Sequence, residues 1–312
     1  MAGVVFLNGD IVGIDEAKVS ILDRANVFAD GLYEVVRCYG GRLFELETHM
    51  KRLLAGASAL AISHDFTLEW LIRGAERLAR ESGVLEGEMY IQLSRGPAVR
   101  THYFPSSQSP VVFITLGPVR PIPAEARTSG TSVVTCPDIR WGWCHLKTVN
   151  LLANCLAKEK AHRLGMWEGI MVRGLGERPP LDADSFCAQP GVLAFARRGD
   201  QVPGNISEGA SANVFVVDRG EIVTPPKENI LPGVTRALAI DLARGLGLRV
   251  TESPIATGDL LTADEMFLTS TIGEIMPVVQ VDGQAIGDGR PGRITQRLAD
   301  AYRGLYHGML GL

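Results

Sequence analysis

The sequence has no excess of positive charge, no long apolar run and no basic leader. Its 312 residues carry 31 Lys and Arg against 35 Asp and Glu, a net charge of −4. This balance argues against a nucleic-acid-binding protein, which needs a concentrated positive face. No stretch approaches the roughly 20 apolar residues of a membrane span, and MAGVVFLNGD lacks the basic start of a signal peptide. We therefore expect a cytoplasmic protein without nucleic-acid or membrane partners.

Cysteine is also too sparse and irregular to predict a metal centre or a disulfide scaffold. The chain has 5 cysteines, and no two of them form a CxxC pair. We expect reduced and mostly buried thiols in an intracellular protein, with no metal site.

Lysine is scarce as well, with six residues among the 31 bases. Lys147 stands apart, because it lies in Cys-His-Leu-Lys-Thr-Val-Asn-Leu-Leu without an acidic neighbour. An amine among apolar groups is neutral more readily, and a neutral amine can form a Schiff base. A lysine whose stem covers apolar surface is the alternative. By contrast, Lys158 and Lys160 flank Glu159 and are predicted to lie on the outer face of a helix.

The remaining composition predicts a two-domain α/β protein. Hydrophobic residues are 46% and charged residues 21% of the chain, close to the globular average. Apolar spacing predicts helices near 47–61, 67–82, 149–163, 234–246 and 293–306, with strands between them. The Pro- and Gly-rich stretch after residue 120 has the composition of an interdomain connection. We expect a small N-terminal domain at 1–120, a linker at 121–130 and a large C-terminal domain at 131–312.

Residues 174–203 fit this organisation poorly. They contain four prolines and show no clear periodicity, which is unusual inside a compact domain. We interpret them as an atypical insertion, a flap or surface excursion near the turn that carries Glu208.

A second group of residues favours a phosphate-bearing cofactor. Glu208 lies in a small-residue turn before an apolar strand, and Leu231-Pro232-Gly233-Val234-Thr235 opens a helix whose first amides can hold an anion. Thr269-Ser270-Thr271 adds hydroxyls at a strand end. One isolated lysine, one carboxylate and two phosphate-suited termini fit pyridoxal 5′-phosphate.

These segments carry a family resemblance. EGASANVF…IVTPPKENILPGVTR, DIRW…LKTVNLLANCLAKEKAH and EMFLTSTIGEIMPV resemble the fold type IV pyridoxal-phosphate enzymes, the class IV aminotransferases. The resemblance covers roughly 4–172 and 204–306. It implies a small α/β domain, a larger pseudo-barrel domain, a site between them, and a homodimer whose second subunit completes that site.

The resemblance also implies roles for individual residues. Lys147 would be the Schiff-base lysine and the general base of the proton transfer, and Glu208 would pair with the pyridine nitrogen. Leu231 would pack on the ring, and Tyr33 would line the substrate side. The phosphate would be held by a set drawn from both domains: Arg52, Gly233, Val234, Thr235, Ser270 and Thr271.

One loop narrows the expected substrate. Arg95-Gly-Pro-Ala-Val-Arg-Thr-His-Tyr-Phe-Pro resembles the RGxxxRxHxFP loop of D-amino-acid aminotransferases, in which the second Arg, the His and an early Tyr trap the substrate carboxylate. The matching residues are Arg100, His102 and Tyr33; a merely solvated loop is the alternative. We expect a transaminase that moves an amino group between a D-amino acid and a 2-oxo acid.

Related activities on the same scaffold stay open. Arg37 stands where D-amino-acid aminotransferases commonly have Lys, and the segment VDGQAIGDGRPGRITQRL is closer to branched-chain and (R)-amine transaminases. A branched-chain L-amino-acid aminotransferase and an (R)-selective amine transaminase are therefore alternatives. Aminodeoxychorismate lyase is a further one, although Arg100 and His102 count against it. A cofactor carrier without activity is not favoured, because every expected catalytic position is filled.

Overall fold

The computed structural model describes residues 3–176 and 182–311, and its contacts divide the chain into two compact units. The first unit runs up to Arg120 and also includes Leu146–Asn150 and the residues from Gly308 onward. The second unit comprises Pro121–His145 and Leu151–His307. The range 121–130, expected to be a linker, falls in the second unit and contains a short helix.

The first unit is a six-stranded antiparallel sheet covered by helices. The strand order is β2-β1-β6-β5-β3-β4, and every neighbouring pair is antiparallel. The elements are β1 (Val4–Leu7), β2 (Asp10–Gly13), α1 (Arg24–Phe28), β3 (Gly31–Tyr39), β4 (Arg42–Leu43), α2 (Leu46–Ala59), α3 (Leu68–Ser82), β5 (Gly87–Ser94) and β6 (Val111–Pro118).

The core of this unit follows the alternation of the strands. Every second residue of β3, β5 and β6 is buried, so one face of the sheet packs against α2 and α3. Thr67 caps α3 by accepting a hydrogen bond from the Trp70 amide, and Gly83, at φ +67°, ends it. The apolar stripe of each helix therefore fixes which face of the sheet stays uncovered within the unit.

The second unit is built around a nine-stranded mixed sheet. Its order is β12-β11-β10-β13-β14-β7-β8-β9, with β15 paired to β14. The pairs β7–β8, β7–β14 and β11–β12 are parallel. Its elements are α4 (Ala124–Thr128), β7 (Thr131–Pro137), α5 (Leu152–Arg163), β8 (Glu168–Arg173), α6 (Ala183–Ala188), β9 (Asn205–Gly209), β10 (Asn213–Asp218), β11 (Glu221–Thr224), α7 (Val234–Gly245), β12 (Val250–Glu252), β13 (Glu265–Ser270), β14 (Glu274–Val281), β15 (Gln284–Ala285) and α8 (Arg293–Leu310).

The segment 174–203, which we expected to be a surface excursion, places three of its described side chains in the core of the second unit. Residues 177–181 lie outside the described residues. Beyond them, Phe186 and Cys187 of α6 are 2% and 3% exposed, and Leu193 is completely buried in the core of the sheet. These three side chains thus anchor the described part of 174–203 to the core of the second unit, while most of its other described residues are exposed at the surface.

The predicted α/β class is confirmed by both units. Within the described parts of the chain, no helix has the combination of length and apolar character that crossing a bilayer requires.

Candidate active site

Lys147 lies in an irregular segment between β7 and α5 that is hydrogen-bonded to β3. Its carbonyl accepts from the Tyr33 amide at 2.9 Å, and the Val149 amide donates to the Gly31 carbonyl at 3.0 Å. These bonds fix the lysine beside Tyr33, and its Nζ lies 4.1 Å from the centroid of that ring. The backbone pairing also explains why the following helix, α5, begins at Leu152 and not near residue 149 as predicted.

Arg52 is held against a carboxylate that the sequence reading missed. Glu34 points to the helix-covered face of β3 with a fully buried side chain, and both Arg52 and His49 reach it from α2. Arg52 binds it with two hydrogen bonds, Nε–Oε1 at 2.7 Å and Nη2–Oε2 at 2.8 Å, and His49 Nδ1 lies 2.7 Å from Oε2. Burial raises the pKa of Glu34, but Arg52 and His49 outweigh it and hold the value at about 2.

The loop after β5 presents Arg100 and His102 against one aromatic ring. The Arg100 guanidinium carbon lies 5.3 Å from the Phe28 centroid, and the His102 ring centroid lies 5.4 Å from it. Both side chains are exposed, so both can meet an anion. Tyr33, the third expected member of the carboxylate trap, stacks on Tyr90 with centroids 5.6 Å apart.

In the second unit, Glu208 is joined to Leu231 by main-chain hydrogen bonds. The Leu231 amide donates to both carboxylate oxygens at 3.1 and 3.2 Å, and Asn213 Nδ2 bridges Glu208 Oε2 and the Leu231 carbonyl. Arg140 Nη1 approaches Oε1 at 2.5 Å. Burial raises the pKa of the Glu208 carboxyl, and the charge and hydrogen bond of Arg140 oppose that rise.

Arg140 is itself oriented by a second buried carboxylate. Asp138, at the end of β7, accepts from Arg140 and from Arg173 at 2.8–2.9 Å. Burial raises the pKa of Asp138, but Arg140 and Arg173 lower it to about 2, so it stays ionised. A fixed carboxylate, a fixed guanidinium and Glu208 therefore form one chain of charges in the second unit.

The start of α7 has the features of an anion cradle. Gly233 is its N-cap and carries no side chain, so the first amides are not capped from that position, and Val234 and Thr235 are buried there. A Cβ at Gly233 would collide with the Asn213 side-chain oxygen, so a larger residue would displace the amide that binds Glu208 and Leu231. Ser270 ends β13, whose neighbouring Thr269 pairs with Asn213, and Thr271 follows in the turn.

The expected site residues are thus divided between the units. Tyr33, Arg52, Arg100, His102 and Lys147 belong to the first unit, and Tyr33 and Lys147 are in direct contact. The second unit holds Glu208, Leu231, Gly233, Val234, Thr235, Ser270 and Thr271, and it joins Glu208 directly to Leu231.

Four residues with ionisable side chains were not predicted from the sequence: Glu34, His49, Asp138 and Arg140. Glu34 could have been noticed, because it occupies an inward position of an otherwise apolar alternation in β3. His49 and Arg52, three residues apart on a helix, then become its natural partners. Asp138 and Arg140 lie within the DIRW segment, but nothing in that segment indicates their distant partner at position 208.

Arg37 is engaged at the far end of β3. Its Nη2 binds Glu86 at 2.7 Å, and its Nη1 donates to the Gly87 and Cys38 carbonyls at 2.8 and 3.0 Å. Its guanidinium also lies 4.6 Å from the Tyr39 ring centroid. These contacts anchor the β3–β5 strand ends and give Arg37 a structural role in the first unit.

Comparison with known proteins decides the family. The Amino-transferase class IV family matches residues 31–177 and 201–281, which is most of the chain. The chain belongs to the class IV aminotransferases. It is thus an aminotransferase with the fold type IV architecture, as predicted, and it depends on pyridoxal phosphate. The family match is interrupted within the stretch that we interpret as an insertion.

Individual relatives span almost the whole chain. The D-alanine aminotransferase of Staphylococcus epidermidis is 36% identical over 299 residues, 96% of each protein. The branched-chain amino acid aminotransferase of Escherichia coli is 28% identical, with a TM-score of 0.83 over 99% of this chain and 96% of that one. The branched-chain aminotransferase of Thermoproteus uzoniensis, solved with norvaline, is 26% identical, with a TM-score of 0.79 over 98% and 95%.

The residues present suit this coenzyme. The glycine-opened start of α7 can take a phosphate, and the buried Glu208 supplies a carboxylate next to an apolar Leu231 side chain. Lys147 provides a primary amine beside an aromatic ring. The donor set therefore matches the phosphate, the pyridine nitrogen and the aldehyde of pyridoxal phosphate.

Proposed function

We propose that this protein is a D-amino-acid transaminase, which exchanges an amino group between a D-amino acid and a 2-oxo acid. The observation that carries the proposal is the loop that brings both Arg100 and His102 to the Phe28 ring. A guanidinium and an imidazole carried by one loop are groups that can bind a substrate carboxylate. The curated D-alanine aminotransferase relatives support the same choice.

Lys147 carries the chemistry in this proposal. When bound, pyridoxal phosphate supplies an aldehyde for the amine and a ring that accepts electrons. Lys147 would hold the aldehyde as a Schiff base and move the proton of the substrate Cα, and the Tyr33 ring beside its Nζ would keep the amine in place. Glu208, held by Arg140, Asn213 and the Leu231 amide, would keep the pyridine nitrogen protonated.

The phosphate would be held at the start of α7. Gly233, Val234 and Thr235 would supply the amides, Ser270 and Thr271 the hydroxyls, and Arg52 a positive charge. Leu231 would lie against the ring. Glu34 would then fix the direction of the Arg52 guanidinium through its two hydrogen bonds.

We further propose a homodimer. We call residues 95–105 the carboxylate loop. Around it, Ile21, Val99 and Tyr103 are 86%, 81% and 75% exposed. The Ala98 amide donates to the Leu22 carbonyl, so the segment with Ile21 adjoins the segment with Val99. Exposed apolar residues gathered in one place are typical of an interface. We expect the partner to be a second copy of this chain, because the resemblance to the class IV enzymes implies that a second subunit completes the site. The five free thiols suit the reducing cytoplasm, where we place the enzyme.

A half-reaction panel tests the proposal. The yellow holoenzyme is mixed in turn with D-alanine, L-leucine, an (R)-arylalkylamine and aminodeoxychorismate, and bleaching of the coenzyme band is followed. We expect D-alanine to bleach the band fastest. Faster bleaching by L-leucine would instead assign the protein to the branched-chain enzymes, whose solved structures are also similar to this chain.

A further inference from the structure

Two buried arginines share one aspartate beneath the carboxylate loop. Arg24 and Arg95 are 3% and 1% exposed, and both bind Asp30. Arg24 Nε lies 2.7 Å from Asp30 Oδ2, and Arg95 donates to the same oxygen at 2.8 Å and to Oδ1 at 3.0 Å. Burial raises the pKa of Asp30, but the two guanidinium groups lower it overall, so the aspartate stays charged. An ion pair with Asp30 would need only one arginine. Arg24 and Arg95 therefore have further N–H donors for other acceptors.

Arg24 uses its remaining donors on the loop itself. Its Nη1 donates to the Thr101 carbonyl at 2.8 Å and reaches the Tyr103 carbonyl at 3.5 Å. These two carbonyls belong to the residues on either side of His102, so one buried group fixes the backbone that carries the imidazole. The Arg24 guanidinium also lies 4.7 Å from the Phe28 centroid, the same ring that Arg100 and His102 contact.

Arg95 ties the loop to the body of the unit. It donates to the Leu60 and Ala61 carbonyls at 2.8 Å each, at the end of α2, and the Phe104 ring lies 3.6 Å from its guanidinium carbon. The base of the loop is closed at Gly96, which has φ +89° and approaches the Ser109 carbonyl so closely that any Cβ would collide with it. Arg95 and Gly96 therefore fix the start of the loop, and Arg24 fixes its backbone next to His102.

We propose that the cluster of Arg24, Asp30 and Arg95 positions the substrate-carboxylate trap, with Arg24 as the residue that sets the placement of His102 and Arg100. The cluster does not contact the substrate, so Arg24 is a positioning residue. This inference rests on the proposed D-amino-acid transaminase function. It predicts that loosening Arg24 weakens recognition of the carboxylate while leaving the coenzyme chemistry intact.

The test uses holoenzyme carrying Arg24→Gln or Arg24→Lys, with Arg73→Gln as the control. Arg73 forms an exposed pair with Glu69 on α3, so its loss removes an arginine without touching the loop. Bleaching of the coenzyme band is measured against D-alanine concentration, and against hydroxylamine as an amine without a carboxylate. For Arg24→Gln we expect the half-saturating D-alanine concentration to rise about 10-fold or more, with the hydroxylamine rate within about twofold of wild type. Arg24→Lys, which retains the charge near Asp30, should recover the thermal midpoint but only part of the D-alanine affinity.

A second measurement tests the mobility of the loop backbone directly. We expect faster hydrogen exchange of the backbone amides near His102 in Arg24→Gln than in wild type or Arg73→Gln, because Arg24 binds the Thr101 and Tyr103 carbonyls. Should Arg24→Gln not fold, Arg24→Lys and Phe104→Leu take its place, since the Phe104 side chain is half exposed and its loss loosens the same loop.

Two results would overturn the inference: unchanged D-alanine saturation in folded Arg24 variants, or equal losses with D-alanine and hydroxylamine. Failure of the proposed function looks different, because wild-type holoenzyme would then not react with D-alanine at all. If wild type reacts and Arg100→Ala weakens D-alanine binding while the Arg24 variants do not, only the positioning role is wrong.

Discussion

At the scale of single residues, the candidate site consists of charges whose partners are close and well oriented. Glu208 is held by Arg140 and Asn213, and Arg52 by Glu34. Lys147 differs, since its Nζ lies over the Tyr33 ring. This contrast between paired carboxylates and an amine on an aromatic face supports the role that we propose for Lys147, and the first predictions follow from it.

Replacing Lys147 by Ala should abolish both the visible absorption of the bound coenzyme and transamination, because it removes the amine that lies beside Tyr33. Absorption spectra and a D-alanine half-reaction measure the two effects. Lys51→Ala is the control, since Lys51 forms an exposed pair with Glu47 on α2. Full activity in the Lys147 variant would refute its proposed role.

Replacing Arg100 by Ala should raise KM for D-alanine far more than for an amine without a carboxylate. The expected loss of binding free energy is about 2–5 kcal/mol, the range for removing one partner of a desolvated charge pair. Initial rates with the two substrates measure it. Equal losses with both would mean that Arg100 does not read the carboxylate.

Glu34 should stabilise the fold in a pH-dependent way. Its pKa falls from 4.5 to about 2 in the folded protein, so the stabilisation is complete above pH 4.5 and is lost as the pH falls towards 2. Glu34→Gln should therefore lower the free energy of unfolding by about 3 kcal/mol at neutral pH, and by progressively less below pH 4.5. Denaturant unfolding from pH 7 to pH 3 measures this, with Glu47→Gln, an exposed partner of Lys51, as the control. A penalty that does not change with pH would contradict it.

At the scale of elements, the helices of the first unit were predictable and the packing of 182–203 was not. Leu53 and Ala57, or Leu71, Ala75 and Leu78, recur at helical spacing, and α2 and α3 match the predicted ranges to within two residues. In the second unit, Lys160 was predicted to lie on an outer helix face, and this is wrong. Its side chain is fully buried, and its Nζ donates to the Gln189 carbonyl at 2.6 Å, next to the end of α6.

The segment after α6 is also held by Asp282, which is half-buried. Asp282 accepts from the Leu193 amide at 2.8 Å and binds the Thr135 hydroxyl, which in turn accepts from the Val192 amide at 2.6 Å. Gln284 donates to the Leu193 and Ala196 carbonyls. These long-range polar contacts turn a stretch without periodicity into an ordered element.

Lys160→Met should therefore loosen 182–190 and lower the stability of the protein by about 1–3 kcal/mol, because it removes the donor to the Gln189 carbonyl. Hydrogen exchange of the α6 amides and the thermal midpoint measure the effect. The matched variant Lys51→Met, at an exposed position, should change neither quantity. Unchanged protection of α6 in Lys160→Met would show that Lys160 does not anchor this element.

At the scale of the whole molecule, the expected site residues fall on two units of different construction. The antiparallel first unit carries Lys147 and the loop with Arg100 and His102, and the second unit, built on the mixed sheet, carries Glu208 and the start of α7. The family, the cofactor class and the general fold are common to the class IV aminotransferases. The proposed homodimer also concerns the whole molecule, and the last prediction tests it.

Ile21→Asp should weaken the proposed homodimer, because it places a charge on an apolar side chain that is 86% exposed in the single chain. Analytical ultracentrifugation should show a dimer for the wild type and a larger monomer fraction for the variant. Ile14→Asp, at an apolar position that is 44% exposed, is a comparison for the general effect of a new charge. A monomeric wild type would contradict the proposed homodimer.

The sequence by itself determined the family, the coenzyme and the type of reaction, because contiguous segments such as LKTVNLLANCLAKEKAH and ILPGVTR carry them. Local periodicity also determined the main helices, since that signal depends only on neighbouring residues. The tertiary structure decided which charges meet: Glu34 with Arg52, Arg140 with Glu208, and Arg24 and Arg95 with Asp30. Those pairs are 18 to 68 residues apart, apart from Arg24 and Asp30, which are six apart. Burial makes such pairs strong because the low dielectric removes competing water, and burial is set by the packing of distant elements.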